Sequence, residues 1–147
     1  MQLYPFFFAI SIFITSLLSQ NLHTVEVNTQ AGEAQAVSGN MEVYRNNVVN
    51  YARNNPGVTG TVADSALGLP TWFNRINGVS NYVMTGKGYV FYSAAQPQMA
   101  YMILKDTNNS IYAGIKKNGV LFNPINGVTT ISLPSAIPDG SVVYGDG

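Results

Sequence analysis

The chain of 147 residues carries seven acidic and seven basic side chains, 10% of its length, so it presents no field of one sign for nucleic acid or anionic lipid. That length suits one domain with an appendage and is too short for two comfortable cores. There is no cysteine, which excludes disulfides, zinc thiolates and a thiol nucleophile, and nine tyrosines, seven phenylalanines and many asparagines make the surface neutral and aromatic.

The N-terminus differs in kind from the rest. Residues 3–18, LYPFFFAISIFITSLL, hold no charge, and the first charged side chain is Glu26. Counting on to Leu22 gives about 20 residues, the length that crosses a hydrocarbon core of roughly 30 Å. Pro5 falls in the first turn, where a missing N–H costs little. A buried soluble helix of this kind would need a partner surface larger than the remaining chain offers. A cleaved signal peptide would show a basic leader and a small-x-small site. No Lys or Arg precedes the run, and Leu17-Leu18-Ser19 is a poor site. The sequence therefore reads as an uncleaved membrane anchor over residues 1–23. Arg45 is the first basic residue after it and Glu26 and Glu33 come earlier, which favours the following domain outside the cytoplasm.

Residues 24–39, TVEVNTQAGEAQAVSGN through its glycine, are small and polar and read as a linker or stem, with Gly32 and Ser38-Gly39 marking a break. A soluble α+β domain is expected over residues 40–147. It opens with an amphipathic helix in which Met41, Tyr44, Val48 and Tyr51 recur at helical spacing, ending at Asn55-Pro56-Gly57. Arg45 and Arg53 lie toward its polar side without forming a basic patch. Thr61, with Asp64 three residues on, suggests a capping box opening a short helix. TWFNRI reads as extended. Residues 82–85 and 89–93 read as a hairpin around Gly86-Lys87-Gly88. Pro97, Met99, Met102 and Ile103 favour a second helix. Asn118-Gly119 between two β-rich runs signals another hairpin, and TTISLP and SVVYG follow as strands. The expected fold is an N-terminal transmembrane helix, then an amphipathic helix packed on an antiparallel sheet of about five strands.

Chemistry is sparse. His23 is the sole histidine and stands where the apolar run ends, so no zinc ligand set exists. The carboxylates are scattered, and Asp139 sits in IPDG, which is turn chemistry first. No Ser-x-x-Lys or Gly-x-Ser-x-Gly occurs, and the lysines of GKG and GIKKNG read as solvated hairpin tips, not phosphate loops. No catalytic, cofactor-binding or metal-binding residue is expected. An enzyme would have to work through Asp139 or Asp106 with a lysine.

One run resists a purely structural reading. In GYVFYS, Tyr89 and Phe91 fall on one face of a strand and Val90 and Tyr92 on the other, and both faces are apolar. Either the strand is central and covered twice, or one face meets another protein. Trp72, Tyr89, Phe91, Tyr92 and Tyr112 are the candidate interface residues, since aromatics concentrate at interfaces.

An N-terminal hydrophobic segment, then SGNMEVYRNNVVNYARNNPGVTG, then a strand region rich in Tyr, Gly and Asn together resemble the small PilM proteins of plasmid-encoded type IV thin pili used in conjugation. The resemblance implies a non-enzymatic bacterial inner-membrane protein with a periplasmic domain, whose partners are other pilus-assembly proteins and whose membrane contact is residues 3–22. Type IV pilins share the general shape but carry a basic leader, a Gly before the cleavage point and a Glu five residues into the mature helix. None of these is present. The alternative function is a periplasmic or secreted module binding glycan or peptidoglycan through Trp72 and surface tyrosines over asparagine hydrogen bonds.

Overall fold

A computed structural model describes residues 4–93, 95, 97–105, 107 and 110–146, and of residues 4–27 the backbone alone. The elements in chain order are α1 (Tyr4–Asn54), a single 3-10 turn (Asp64–Ala66), β1 (Val79–Met84), β2 (Lys87–Tyr92), α2 (Pro97–Lys105), β3 (Ala113–Lys117), β4 (Val120–Asn123), β5 (Gly127–Ser132) and β6 (Val142–Tyr144). The chain divides into two compact units, Met1–Glu33 and Ala34–Gly147.

α1 is continuous across the stretch where Gly32 and Ser38-Gly39 suggested a break. Glycine in a helix interior costs about 1 kcal/mol relative to alanine, and burial of a whole stripe outweighs it. That stripe begins earlier than the sequence pattern indicated: Ala34 and Val37 join Met41, Tyr44, Val48 and Ala52 in the core, and Tyr51 packs at its margin. Beyond Asn54 the Asn55 side chain donates to the Tyr51 carbonyl at 2.9 Å and closes the last turn. The side chains of the apolar run expected to span a membrane, within residues 1–23, lie outside the described ones. Among the described residues no helix is long and apolar enough to cross a membrane, so the structure gives the transmembrane expectation no support.

The sheet has six strands where about five were expected, in the order β1-β2-β6-β3-β4-β5, with every pairing antiparallel. The expected strand at SVVYG is the three-residue β6. It lies in the middle, joined to β2 on one side and β3 on the other, and so makes one sheet of two separate hairpin systems. The two hairpins expected from the sequence, β1-β2 and β3-β4, each close in two residues. Thr85-Gly86 has φ of 51° and 77°, and Asn118-Gly119 has 51° and 80°, the left-handed pair that matches strand twist. The first turn therefore precedes Lys87, which already pairs with Met84.

One face of the sheet carries α1 and α2 over Val79, Val83, Val90, Tyr92, Ala113 and Val142. The other face buries Tyr89, Leu121 and Val143 beneath Leu133 and Ile137, with Tyr82, Phe91 and Ile131 at the edge. The segment between β5 and β6 thus does for the second face what helices do for the first. It is held by Lys116, which is not the solvated hairpin lysine that its sequence context suggested. Lys116 is buried, and its Nζ donates to the carbonyls of Pro134 at 3.0 Å and Ile137 at 2.5 Å, with Asp139 at 3.9 Å. Burying an ammonium is tolerable because it is hydrogen-bonded and partly ion-paired.

Candidate functional site: a braced loop presenting Trp72

Residues 55–78 connect α1 to β1 with almost no regular structure, yet a hydrogen-bond network fixes them. Its centre is the hydroxyl of Tyr44, a fully buried side chain of the α1 stripe. That hydroxyl donates to Asp64 Oδ1 at 2.5 Å and accepts from Asn81 Nδ2 at 2.6 Å. Asn81, in β1, also binds both backbone groups of Val62, accepting from its N–H and donating to its carbonyl, each at 2.8 Å. Arg75 Nε donates to Asp64 Oδ2 at 2.9 Å, and its Nη1 donates to the Val79 carbonyl. The guanidinium carbon lies 5.9 Å from the Tyr44 ring centroid. Helix, loop and strand are thereby tied at one point.

The electrostatics follow from this arrangement. Burial, reinforced by the hydrogen bond to Asp64, pushes the Tyr44 phenol up to about 12. For Asp64, burial acts upward, but hydrogen bonds from Tyr44 and Arg75 and the Arg75 charge outweigh it and hold the carboxyl below its ordinary value. Its hydrogen bond to Asp64 raises Arg75. A neutral phenol donating to an ionised carboxylate that also pairs with an arginine is a structural clamp. Asp64 is therefore not the capping-box residue that the sequence suggested. The residue before the 3-10 turn is Ala63, whose methyl group cannot cap, and the Asp64 carboxylate is taken up by Tyr44 and Arg75.

The clamp carries aromatic side chains outward. Phe73 stacks on Tyr44 with centroids 5.8 Å apart and rings 5° from parallel. Trp72 packs edge-on against Phe73 at 6.3 Å and is 69% exposed. Asn40 of α1 braces the same segment, donating to the Asn74 carbonyl at 2.8 Å and accepting from Ile76 N–H at 3.1 Å. The result is an exposed indole on a backbone fixed before any partner arrives, the condition under which an aromatic anchor loses least entropy on binding.

The other candidates do not gather around it. Tyr89 and Tyr92 are buried on opposite faces of β2, and Phe91 is half-buried beside Tyr89, so both apolar faces of that strand are covered by the chain's own residues. Burial, then the Asp146 charge, raises the Tyr89 phenol. Half-buried Tyr112 lines a separate concavity of about 110 Å³ with Ser38, Glu42, Arg45, Ser110 and Tyr144. Arg45 and Arg53 hold the end of the chain: Arg45 Nε donates to the Gly145 carbonyl at 2.7 Å, and Arg53 grips Asp146 at 2.7 and 3.2 Å. Among the described residues no group of three or more His, Asp or Glu could hold a metal ion. Asp139 stands 3.9 Å from the buried Lys116, and Asp106 lies outside the described residues.

Comparison with known proteins adds an independent line. The PilM family profile matches residues 8–145. Similar solved structures include two PilM proteins. The PilM protein of Escherichia coli B7A is 22% identical, with a TM-score of 0.58 over 80% of this chain and 94% of that one, a likeness of fold. The PilM protein of Pseudomonas aeruginosa 2192 is 34% identical over 78% of this chain and 96% of that one, with a TM-score of 0.49. No curated protein matches.

Proposed function

Because the chain belongs to the PilM family, we propose that it is a non-enzymatic component of a type IV pilus assembly apparatus, with the Trp72 loop as a contact for another assembly protein. Its place is the bacterial inner membrane, held through residues 3–22, with residues 34–147 in the periplasm. The family match over residues 8–145 carries the reading. What supports the contact is the placement of Trp72, exposed at the end of an aromatic stack rooted in a buried tyrosine. An exposed tryptophan on a rigid mount can supply about 2 kcal/mol or more at an interface.

The test is Trp72→Ala in cells that make the pilus. Exposed as it is, the side chain contributes little to the core, so the thermal unfolding midpoint is expected to stay within a few degrees of the wild type. Pilus number and co-purification with assembly proteins are expected to fall. Undiminished piliation would remove the Trp72 loop from the mechanism. Persistence of pili after deletion of the whole chain would remove the assembly role itself. The same exposed indole, flanked by Asn74 and Arg75, also fits stacking on a sugar ring. That second reading requires glycan binding by the purified protein, lost in Trp72→Ala.

A further inference from the structure

The helix layer of the unit Ala34–Gly147 stops short of one end of the sheet. Register places Ile115, Phe122 and Val128 on one face, the face that Ile115 shares with the helix-side core. Over β4 and β5 that face is open: Val128 is 71% exposed, and Val120 and Phe122 are only half-buried. At its margin Tyr101 of α2 and Ile125 of the β4–β5 turn, 58% and 59% exposed, flank a groove of about 50 Å³ lined also by Leu104, Lys105, Thr107 and Pro124.

Two cations border this apolar surface. Lys105 ends α2, and Lys117 places its Nζ 5.6 Å from the Phe122 ring centroid. The ion pairs among the described residues are Arg53–Asp146, Arg75–Asp64 and Lys116–Asp139, which leaves both lysines outside them. An apolar face bordered by two cations calls for an apolar partner surface edged with carboxylates.

The sheet edge itself decides the form of that partner. β5 is irregular against β4: Val120 pairs with Ser132 and Phe122 with Val128, so two residues of β4 span four of β5. The Thr129 hydroxyl donates to the Leu121 carbonyl at 2.7 Å inside that irregularity. A bulged edge is a poor template for a further strand. The face above β4 and β5 is instead the next position in the helix layer, where neighbouring helices pack about 8–10 Å apart. A second copy of this chain seated symmetrically would bring lysine against lysine, which the charges oppose.

We propose that this face seats an amphipathic helix of a partner protein, its apolar side on Phe122, Val128 and Ile125 and its flanking carboxylates toward Lys105 and Lys117. The surface is distinct from the Trp72 loop, and the proposal does not depend on that loop's role.

The experiment titrates the purified full chain into two labelled helical peptides of about 18 residues, read by fluorescence anisotropy. Both carry leucines at i, i+3, i+4 and i+7, one with flanking glutamates and one with flanking lysines. The glutamate peptide is expected to bind about tenfold tighter, and the preference to reverse in Lys105→Glu/Lys117→Glu, whose side chains lie outside the core. Equal affinities, no binding of either peptide, or a preference unchanged in the double variant would overturn the proposal. So would binding to phosphatidylglycerol vesicles over phosphatidylcholine ones, abolished in the double variant, without peptide discrimination; that result would assign the face to a membrane surface.

Discussion

Tyr44 shows how much one side chain can decide. As a stripe residue at helical spacing it reads as core, and its ring is core, but its hydroxyl organises a loop about twenty residues away in sequence. The phenol titrates near 12 in the fold against 10.0 in the unfolded chain. A raised value in the fold means the neutral form is favoured there. Its contribution is therefore full below pH 10 and is lost as pH climbs from 10 to 12. At two units the effect is about 2–3 kcal/mol. Urea unfolding of the wild type should lose stability over that window more steeply than Tyr44→Phe, which should itself cost about 1–2 kcal/mol at neutral pH by stripping a partner from Asn81 and Asp64. Parallel pH profiles for the two proteins would remove the clamp from the account. Asp64 works in the opposite sense, stabilising at neutral pH and losing that contribution as pH falls through its depressed value.

At the scale of elements, the close approach of α1 to β2 rests on Gly88. A Cβ there would stand 2.9 Å from both the Cα and the N of Val49, which are backbone atoms that cannot swing aside. Gly88→Ala should cost about 1–3 kcal/mol through forced separation of helix and strand. Gly39→Ala is the control: its Cβ would meet nothing within 4 Å, so relief of helix entropy should stabilise by about 0.5–1 kcal/mol. Chemical denaturation midpoints moving in opposite directions would bear out the assignment, and a neutral Gly88→Ala would refute it. The first hairpin turn illustrates a different limit. Asn118-Gly119 announces itself, whereas Thr85-Gly86 makes the same left-handed turn with a β-branched residue that propensity assigns to a strand.

At the largest scale, the unit Ala34–Gly147 is closed by β6. β6 is three residues long, yet it joins β1-β2 to β3-β4-β5, and its Val142 and Val143 serve opposite cores. Tyr144 ties it further, its hydroxyl donating to the Ile103 carbonyl at 3.1 Å and lying 3.0 Å from Ser38 Oγ. A chain ending after residue 140 should therefore lose its sharp thermal unfolding transition, because it cuts the two-stranded β1-β2 hairpin off from β3-β4-β5, and a lone two-stranded hairpin is marginal in water. Retention of a cooperative transition would show that the halves cohere without β6. The sequence by itself determined the amphipathic helix after residue 40, the second helix, the tight turn at Asn118-Gly119 and the α+β class, since period and turn chemistry are local. It also carried the family resemblance, in a layout that runs the length of the chain. Only the tertiary structure decided that Lys116 is buried, that Asp64 serves Tyr44 instead of a cap, that Arg45 and Arg53 hold the chain's end, and that Trp72 stands outside while Tyr89 and Tyr92 lie within. Each of those outcomes depends on which distant backbone a side chain meets, and strand order, which no local pattern encodes, sets those meetings.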